Sequence, residues 1–213
     1  MDSMRRLEEI FAHFPGIGPR QARRFAYYLI GKPQAFIKEF IQLIETVKKS
    51  AHECSSCHRL FITEVRLQHT DSGPRCNICT DTSRDCSVLM IVSRDSDLES
   101  IEKSGAYRGL YFVVGGTVPI LDKEPEKRIR LKALLERVSQ SPELKEVILS
   151  LSATADGEHT AAIIKEAIGK IAGDNLTNGK RLNVTVLGRG LSTGAELEYA
   201  DGETIKSALK HRE

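Results

Sequence analysis

Cys54-Ser55-Ser56-Cys57 and Cys76-Asn77-Ile78-Cys79 decide how this chain is read. Each Cys-x-x-Cys pair can bring two thiolates to one side of a tight turn. Two pairs supply the four soft ligands of a closed tetrahedral zinc site. A site of that kind keeps no open coordination position, so the metal would hold a fold together rather than activate water. Two disulfides are the alternative. Nothing at the N-terminus resembles a secretory signal and intracellular thiols stay reduced, so zinc on Cys54, Cys57, Cys76 and Cys79 is the expectation. A redox Cys-x-x-Cys motif would need one pair, not two. The fifth cysteine, Cys86, opens an apolar strand and is expected to be a buried small hydrophobe.

Upstream, Leu7, Ile10, Phe11 and Phe14 recur at helical spacing, and this helix must stop before Pro15-Gly16-Ile17-Gly18-Pro19. Pro19 can open the next helix, since its missing N–H would be unpaired there anyway. Ala22, Phe25, Ala26, Leu29 and Ile30 mark that helix, and Gly31-Lys32-Pro33 closes it. A third helix is expected from about Gln34 to Lys49, with Phe36, Phe40, Leu43, Ile44 and Val47 inward. Gly16 and Gly18 let a backbone approach closely, and N–H groups at the start of a helix favour a phosphate. Arg20, Arg23 and Arg24 lie in the first turns of the second helix. The whole reads as a helix-hairpin-helix, which grips the nucleic-acid backbone without reading sequence. A plain αα-corner with solvated arginines is the alternative. Residues 1–52 carry nine Lys/Arg and five Asp/Glu, within a chain of net charge +2. That excess permits nucleic-acid contact without demanding it.

Between the cysteine pairs, Leu60, Ile62, Val65 and Leu67 suggest a short hairpin, and Asp71-Ser72-Gly73-Pro74 a turn. From Ser87 the pattern changes to alternating strands and helices. Strands are expected at Val88–Val92, Tyr111–Val114, Val147–Leu151 and Leu182–Leu187. Helices are expected at Asp95–Ser104, around Ile129–Val138 and at Ala161–Ile171. Continuous apolar strands alternating with helices argue for a mainly parallel sheet covered on both faces, with sites beyond the strands' carboxyl ends. Asp156-Gly157-Glu158 follows the third strand and could hold a hard cation such as Mg²⁺. Acids favoured by a helix N-terminus are the alternative. Gly188–Gly194 is glycine-rich but lacks the Gly-Lys-Ser/Thr ending of a phosphate loop. The six histidines show no ligand pattern.

The chain has 213 residues, 40% hydrophobic and 28% charged, as expected of a soluble globular protein of one medium or two to three small domains. No apolar run approaches the ~20 residues that span a bilayer, so no membrane role is expected.

These segments, in this order, resemble the RecR family of bacterial recombination mediators. The resemblance rests on Phe14 to Arg20 with Arg24-Phe25-Ala26, then on the four cysteines. It continues through Cys79-Thr80-Asp81, Arg84-Asp85 and Tyr111 to Gly116, and ends on Arg189-Gly190-Leu191 with Gly194 to Asp201. It implies an α+β multi-domain fold. The parts are a helix-hairpin-helix at 1–52, a four-cysteine zinc module at 53–86, a Toprim α/β domain at 87–187 and a C-terminal extension at 188–213. It also implies a cytoplasmic, non-enzymatic mediator of DNA repair that binds single- and double-stranded DNA without sequence preference. Such a protein works with RecO and RecF to load RecA onto single-stranded DNA, and assembles with itself, expected here as a ring of four. By resemblance, Arg20 and Arg24 contact DNA, and Asp156 and Glu158 are linked to partner binding. Two departures stand out. Residues 58–75 are longer than the family's usual gap between cysteine pairs, implying an extended finger. The glutamate that usually ends the first Toprim strand is Ser93 here, which argues against phosphodiester chemistry and tight Mg²⁺ binding. A metal-dependent Toprim enzyme and a zinc-ribbon interaction module are the rival readings.

Overall fold

The computed structural model describes residues 2–63, 73–122, 124–175, 182–188, 190–191, 194 and 196–210. Val65, Leu67, Asp71 and Ser72 of the expected hairpin and turn lie outside the described residues, as do Arg189, Ser192 and Thr193 of the glycine-rich stretch. The chain divides into two compact units.

The first unit is built on the N-terminal helices α1 (Ser3–Ala12), α2 (Pro19–Ile30) and α3 (Gln34–Ser50). Asp2 caps α1 by accepting the Met4 N–H at 3.1 Å. Pro19 stands at the first position of α2 behind the N-cap Gly18, where no N–H is missed. Helices α1 and α2 pack through Phe11, Ala22 and Ala26, and the two alanines let the backbones approach closely. Phe14 and Phe25 meet the ring of Phe11 edge-on at 5.6 and 5.8 Å.

Helix α3 departs from expectation. Its length matches the apolar period, yet none of its residues is buried. Phe36, Phe40, Leu43, Ile44 and Val47, expected inward, are all exposed, because the core of this unit closes between α1 and α2 alone.

The second unit holds a four-stranded parallel sheet of β3 (Asp85–Val92), β4 (Gly109–Val113), β5 (Glu146–Ser150) and β6 (Asn183–Val186). Its spatial order is β4-β3-β5-β6, with β3 and β5 in the middle. Before it in sequence come the short strands β1 (Ala51–Glu53) and β2 (Leu60–Ile62), which pair with each other, and the one-turn helix α4 (Asn77–Thr80). Helices α5 (Asp95–Ser104), α6 (Leu131–Ser139) and α7 (Ala155–Asn175) follow β3, β4 and β5 respectively.

The period of two along β3 sorts its side chains to two different covers. Leu89 and Ile91 join Phe112, Val147 and Leu149 against Leu131, Leu134 and Val138 of α6 and Ile164 and Ile168 of α7. Met90 and Val92 join Tyr111, Val113 and Leu98 of α5 on the opposite face, in one buried cluster with the four cysteines and Ile78. The sheet is therefore covered on both faces, but the cysteine module supplies much of one cover. Cys86, expected to be buried, is exposed. It stands second in β3, where burial only begins, and the strand is fully covered from Leu89 onward. Beyond β6 the chain makes a turn at Leu197–Tyr199 and the helix α8 (Gly202–Lys210), opened by Asp201 accepting the Thr204 N–H and hydroxyl.

Candidate functional site

Three places carry candidate chemistry, and each is built by local structure. In the first unit, the turn between α1 and α2 requires Gly16 in a left-handed conformation (φ +75°), which L side chains adopt at a cost. Gly18 has an ordinary extended backbone (φ −83°, ψ 168°). A Cβ at either position would meet nothing within 4 Å, so both glycines face open space. One turn into α2, the arginines divide. Arg23 reaches back to Glu8 of α1 at 3.3 Å. Arg20 and Arg24 are exposed and make no ion pair among the described residues. The open glycine turn and two unpaired guanidinium groups lie within nine residues of chain, an arrangement able to hold an anionic backbone.

In the second unit, Cys54 and Cys57 lie on the turn between β1 and β2, and Cys76 and Cys79 flank the start and body of α4. All four are buried, and their sulfurs lie within 4.8 Å of one another. Cys57 Sγ and Cys76 Sγ are 3.6 Å apart. Four thiolates at ~2.3 Å from one ion would have edges of about 3.8 Å, so the donor set fits a tetrahedral Zn²⁺ in number, softness and spacing. Packed together, the thiols push one another's ionisation apart. The contact between Cys57 and Cys54 holds Cys54 far below the ordinary thiol range and drives Cys57 far above it. A dication at their centre would relieve that conflict by favouring the thiolate at every position.

The module is tied to the sheet by backbone and charge. Val113 N–H, at the end of β4, donates to the Cys57 carbonyl at 2.8 Å. Leu60 N–H donates to Asp95 Oδ1 of α5 at 2.8 Å. Glu53 Oε1 takes both His58 Nδ1 at 2.7 Å and Arg130 Nε at 3.3 Å. The His58 ring meets Phe112 edge-on at 5.1 Å. Arg84 forks onto both oxygens of Glu102, clamping the entry of β3 to α5, and also donates to the Gly109 carbonyl. None of Glu53, His58, Asp95, Glu102 or Arg130 had a signature in the sequence: Leu60–Asp95, Arg84–Glu102 and Glu53–Arg130 join residues distant in the chain, and the five-residue spacing of Glu53 and His58 matches no helix or strand period.

The third place lies beyond the carboxyl ends of β3 and β5. Asp156 and Glu158 occupy the first turn of α7. Asp156 Oδ1 accepts the Ile120 N–H at 3.3 Å, and its carbonyl accepts Thr160 Oγ1, which in turn accepts the Val118 N–H. Asp156 thus braces the loop after β4. Glu158 is exposed and borders a cavity of about 270 Å³ with Leu149, Leu151, Ala161, Lys165 and Val186. Gly157 between them is buried, and a Cβ there would run into the Ser152 carbonyl. Ser93 follows β3 with its hydroxyl buried and without a hydrogen-bond partner among the described residues. Among the described residues, the four cysteines are the only group of three or more His, Cys, Asp or Glu able to converge on one ion.

A Toprim domain model matches residues 87–187, and a RecR C-terminal model matches 190–213. The Recombination protein RecR of Lactococcus lactis subsp. cremoris (strain MG1363) is 38% identical over 207 residues, covering 97% of this chain and 94% of that protein. This chain belongs to the RecR family. The RecR of Lactobacillus johnsonii is 35% identical over the same shares. That of Methylobacterium nodulans is 37% identical, covering 97% of this chain and 93% of its own. The Toprim match covers the sheet from Ser87 onward with α5, α6 and α7, and the RecR C-terminal match covers the turn at Leu197–Tyr199 and α8, with Leu197 and Tyr199 of the turn and Leu209 of α8 exposed. Among the described residues of this RecR-family recombination protein, no helix is long and apolar enough to cross a membrane.

Proposed function

We propose that this chain is a non-enzymatic, DNA-binding recombination mediator of DNA repair, acting in the cytoplasm with RecO-like and RecF-like partners to load RecA onto single-stranded DNA. It divides into a helix-hairpin-helix (1–52), a zinc module (53–86), a Toprim domain (87–187) and a C-terminal extension (188–213). Arg20 and Arg24 neutralise phosphates while Gly16 and Gly18 admit the backbone, and Arg23 contributes when released from Glu8. Cys54, Cys57, Cys76 and Cys79 hold a structural Zn²⁺. Asp156 and Glu158 serve partner binding rather than catalysis; Asp156 already spends a carboxylate oxygen on the Ile120 amide, and the position ending β3 is Ser93.

The observation that carries the DNA reading is the pair of exposed, unpaired guanidinium groups of Arg20 and Arg24 beside an open glycine turn. The chain assembles with itself, into a ring of four in this reading; the bare apolar row of α3 supports self-association and is silent on the number of copies. Changing both arginines to alanine tests the reading. Affinity should fall alike on every sequence, and the slope of log K against log salt should flatten by up to ~1.8 on duplex and ~1.4 on single strands. An unchanged slope would remove the arginines from the interface.

A further inference from the structure

Helix α2 carries more than cations. Its buried face is Ala22 and Ala26. At 3.6 residues per turn, Arg20, Arg24 and Tyr27 fall on the side away from α1, with Tyr28 at its flank. Tyr27 is 63% exposed and Tyr28 is 56% exposed. Lys32 Nζ sits 4.1 Å from the centre of the Tyr28 ring, so that ring already has a cation over it. The Tyr27 ring has no ring or cation partner among the described residues. From Pro15 to Lys38 the chain has five Lys/Arg and not one Asp or Glu.

We propose that Tyr27 is a stacking platform for an unpaired base, placed at the end of the Arg20–Arg24 row so that the hairpin prefers single-stranded DNA. This rests on the DNA-binding reading above. Arg20 and Tyr27 are separated by about 10.5 Å along the helix axis, close to three stacked nucleotides at 3.4 Å each. A phosphate held at Arg20 and Arg24 therefore brings a base of the same strand to the Tyr27 ring. Every base has a π-face, so the contact does not read sequence. In a duplex both faces of a base are already covered by its neighbours, and the ring finds nothing to stack on. The charge of the stretch favours this occupant over a protein. An acid-free, cationic surface suits a polyanion, whereas the aliphatic row Leu43, Ile44 and Val47 of α3 suits an apolar partner.

The test uses the full-length protein with a labelled oligothymidylate and a duplex of equal length. Tyr27→Ala should weaken single-strand binding about 5- to 140-fold and duplex binding less than about twofold. The salt slope should stay as in the unchanged protein, since no phosphate contact is lost. Tyr27→Phe keeps the ring and should retain the preference. The chain has no tryptophan, so tyrosine emission reports the contact directly: oligothymidylate should quench it, and less so after Tyr27→Ala. Equal loss on both substrates, or no loss on either, overturns the platform. So does a fall in solution mass, which would assign Tyr27 to a protein contact. If Arg20→Ala with Arg24→Ala reduces binding and Tyr27→Ala does not, the platform falls alone. If neither does, the DNA-binding reading falls with it.

Discussion

Removing the metal should destabilise the Toprim sheet and not merely the cysteine module. On the module side of the sheet, Met90, Val92, Leu98, Tyr111 and Val113 are each at most 4% exposed, in one cluster with the four cysteines. Full burial of such a side chain is worth roughly 1.5–3 kcal/mol. If release of the module uncovers half of that surface, the sheet loses about 4–8 kcal/mol, a large part of the ~5–15 kcal/mol that holds a typical domain together. For a chain of this size each kcal/mol moves the midpoint by about 2–4 °C, so the sheet's transition should fall by about 8–30 °C. The assay is thermal unfolding with and without a strong chelator, with metal content measured in both samples. Amide exchange at Val113 should accelerate, because its N–H donates to the Cys57 carbonyl of the module. Cys76→Ser should reproduce both effects. A midpoint lowered by less than about 3 °C after verified metal loss would mean that α5, α6 and α7 hold the sheet unaided, and would refute the reasoning.

Other outcomes follow from single contacts. Gly18→Ala puts a Cβ into open space on an unstrained backbone, so stability should be unchanged while DNA affinity falls; unchanged affinity would mean that no strand approaches this turn. The Arg84 fork holds the Glu102 carboxyl below the usual range, against the opposing pull of burial. A depressed folded-state pKa stabilises above the unfolded value of ~4.3, and that support is lost as pH falls through the folded value. Glu102→Gln should cost about 1–3 kcal/mol at neutral pH, and the gap should close in acid; a pH-independent gap would rule out the ion pair as its source. Ile44→Glu on the bare face of α3 should lower the solution mass without lowering the monomer's melting point, and an unchanged mass would show that this face takes no part in assembly.

How far the chain could be read in advance depended on the range of each interaction. The cysteine spacing and the apolar run Val88–Val92 are local patterns, and they identified the metal-type cluster and the central strand directly. Helix α3 was legible as a helix, because period 3.6 is local too. What covers its apolar face is not written in that period, and the inward placement of Phe36, Phe40 and Leu43 failed for that reason. Cys86 was misplaced because an apolar neighbourhood in sequence does not say where along a strand the covering layers begin. Pairing of Arg23 with Glu8 depends on how α1 crosses α2, and the Glu53, His58 and Arg130 contacts join residues up to 77 positions apart. No spacing rule reaches that far.

The bond from Val113 to Cys57 also bears on solubility. Strand β4 ends the sheet on one side, yet all five of its residues are buried, an uncommon condition for a marginal strand. Its outer rim is closed by the neighbouring turn at the Val113 N–H and by arginines that donate to its carbonyls, Arg84 at Gly109 and Arg130 at Val113. Stripping the metal would therefore loosen part of that cover and leave a sticky ribbon ready to pair with another molecule, so the apo protein should cloud once it is heated past its lowered midpoint. The opposite margin, β6, is only four residues long, too short to offer the same hazard.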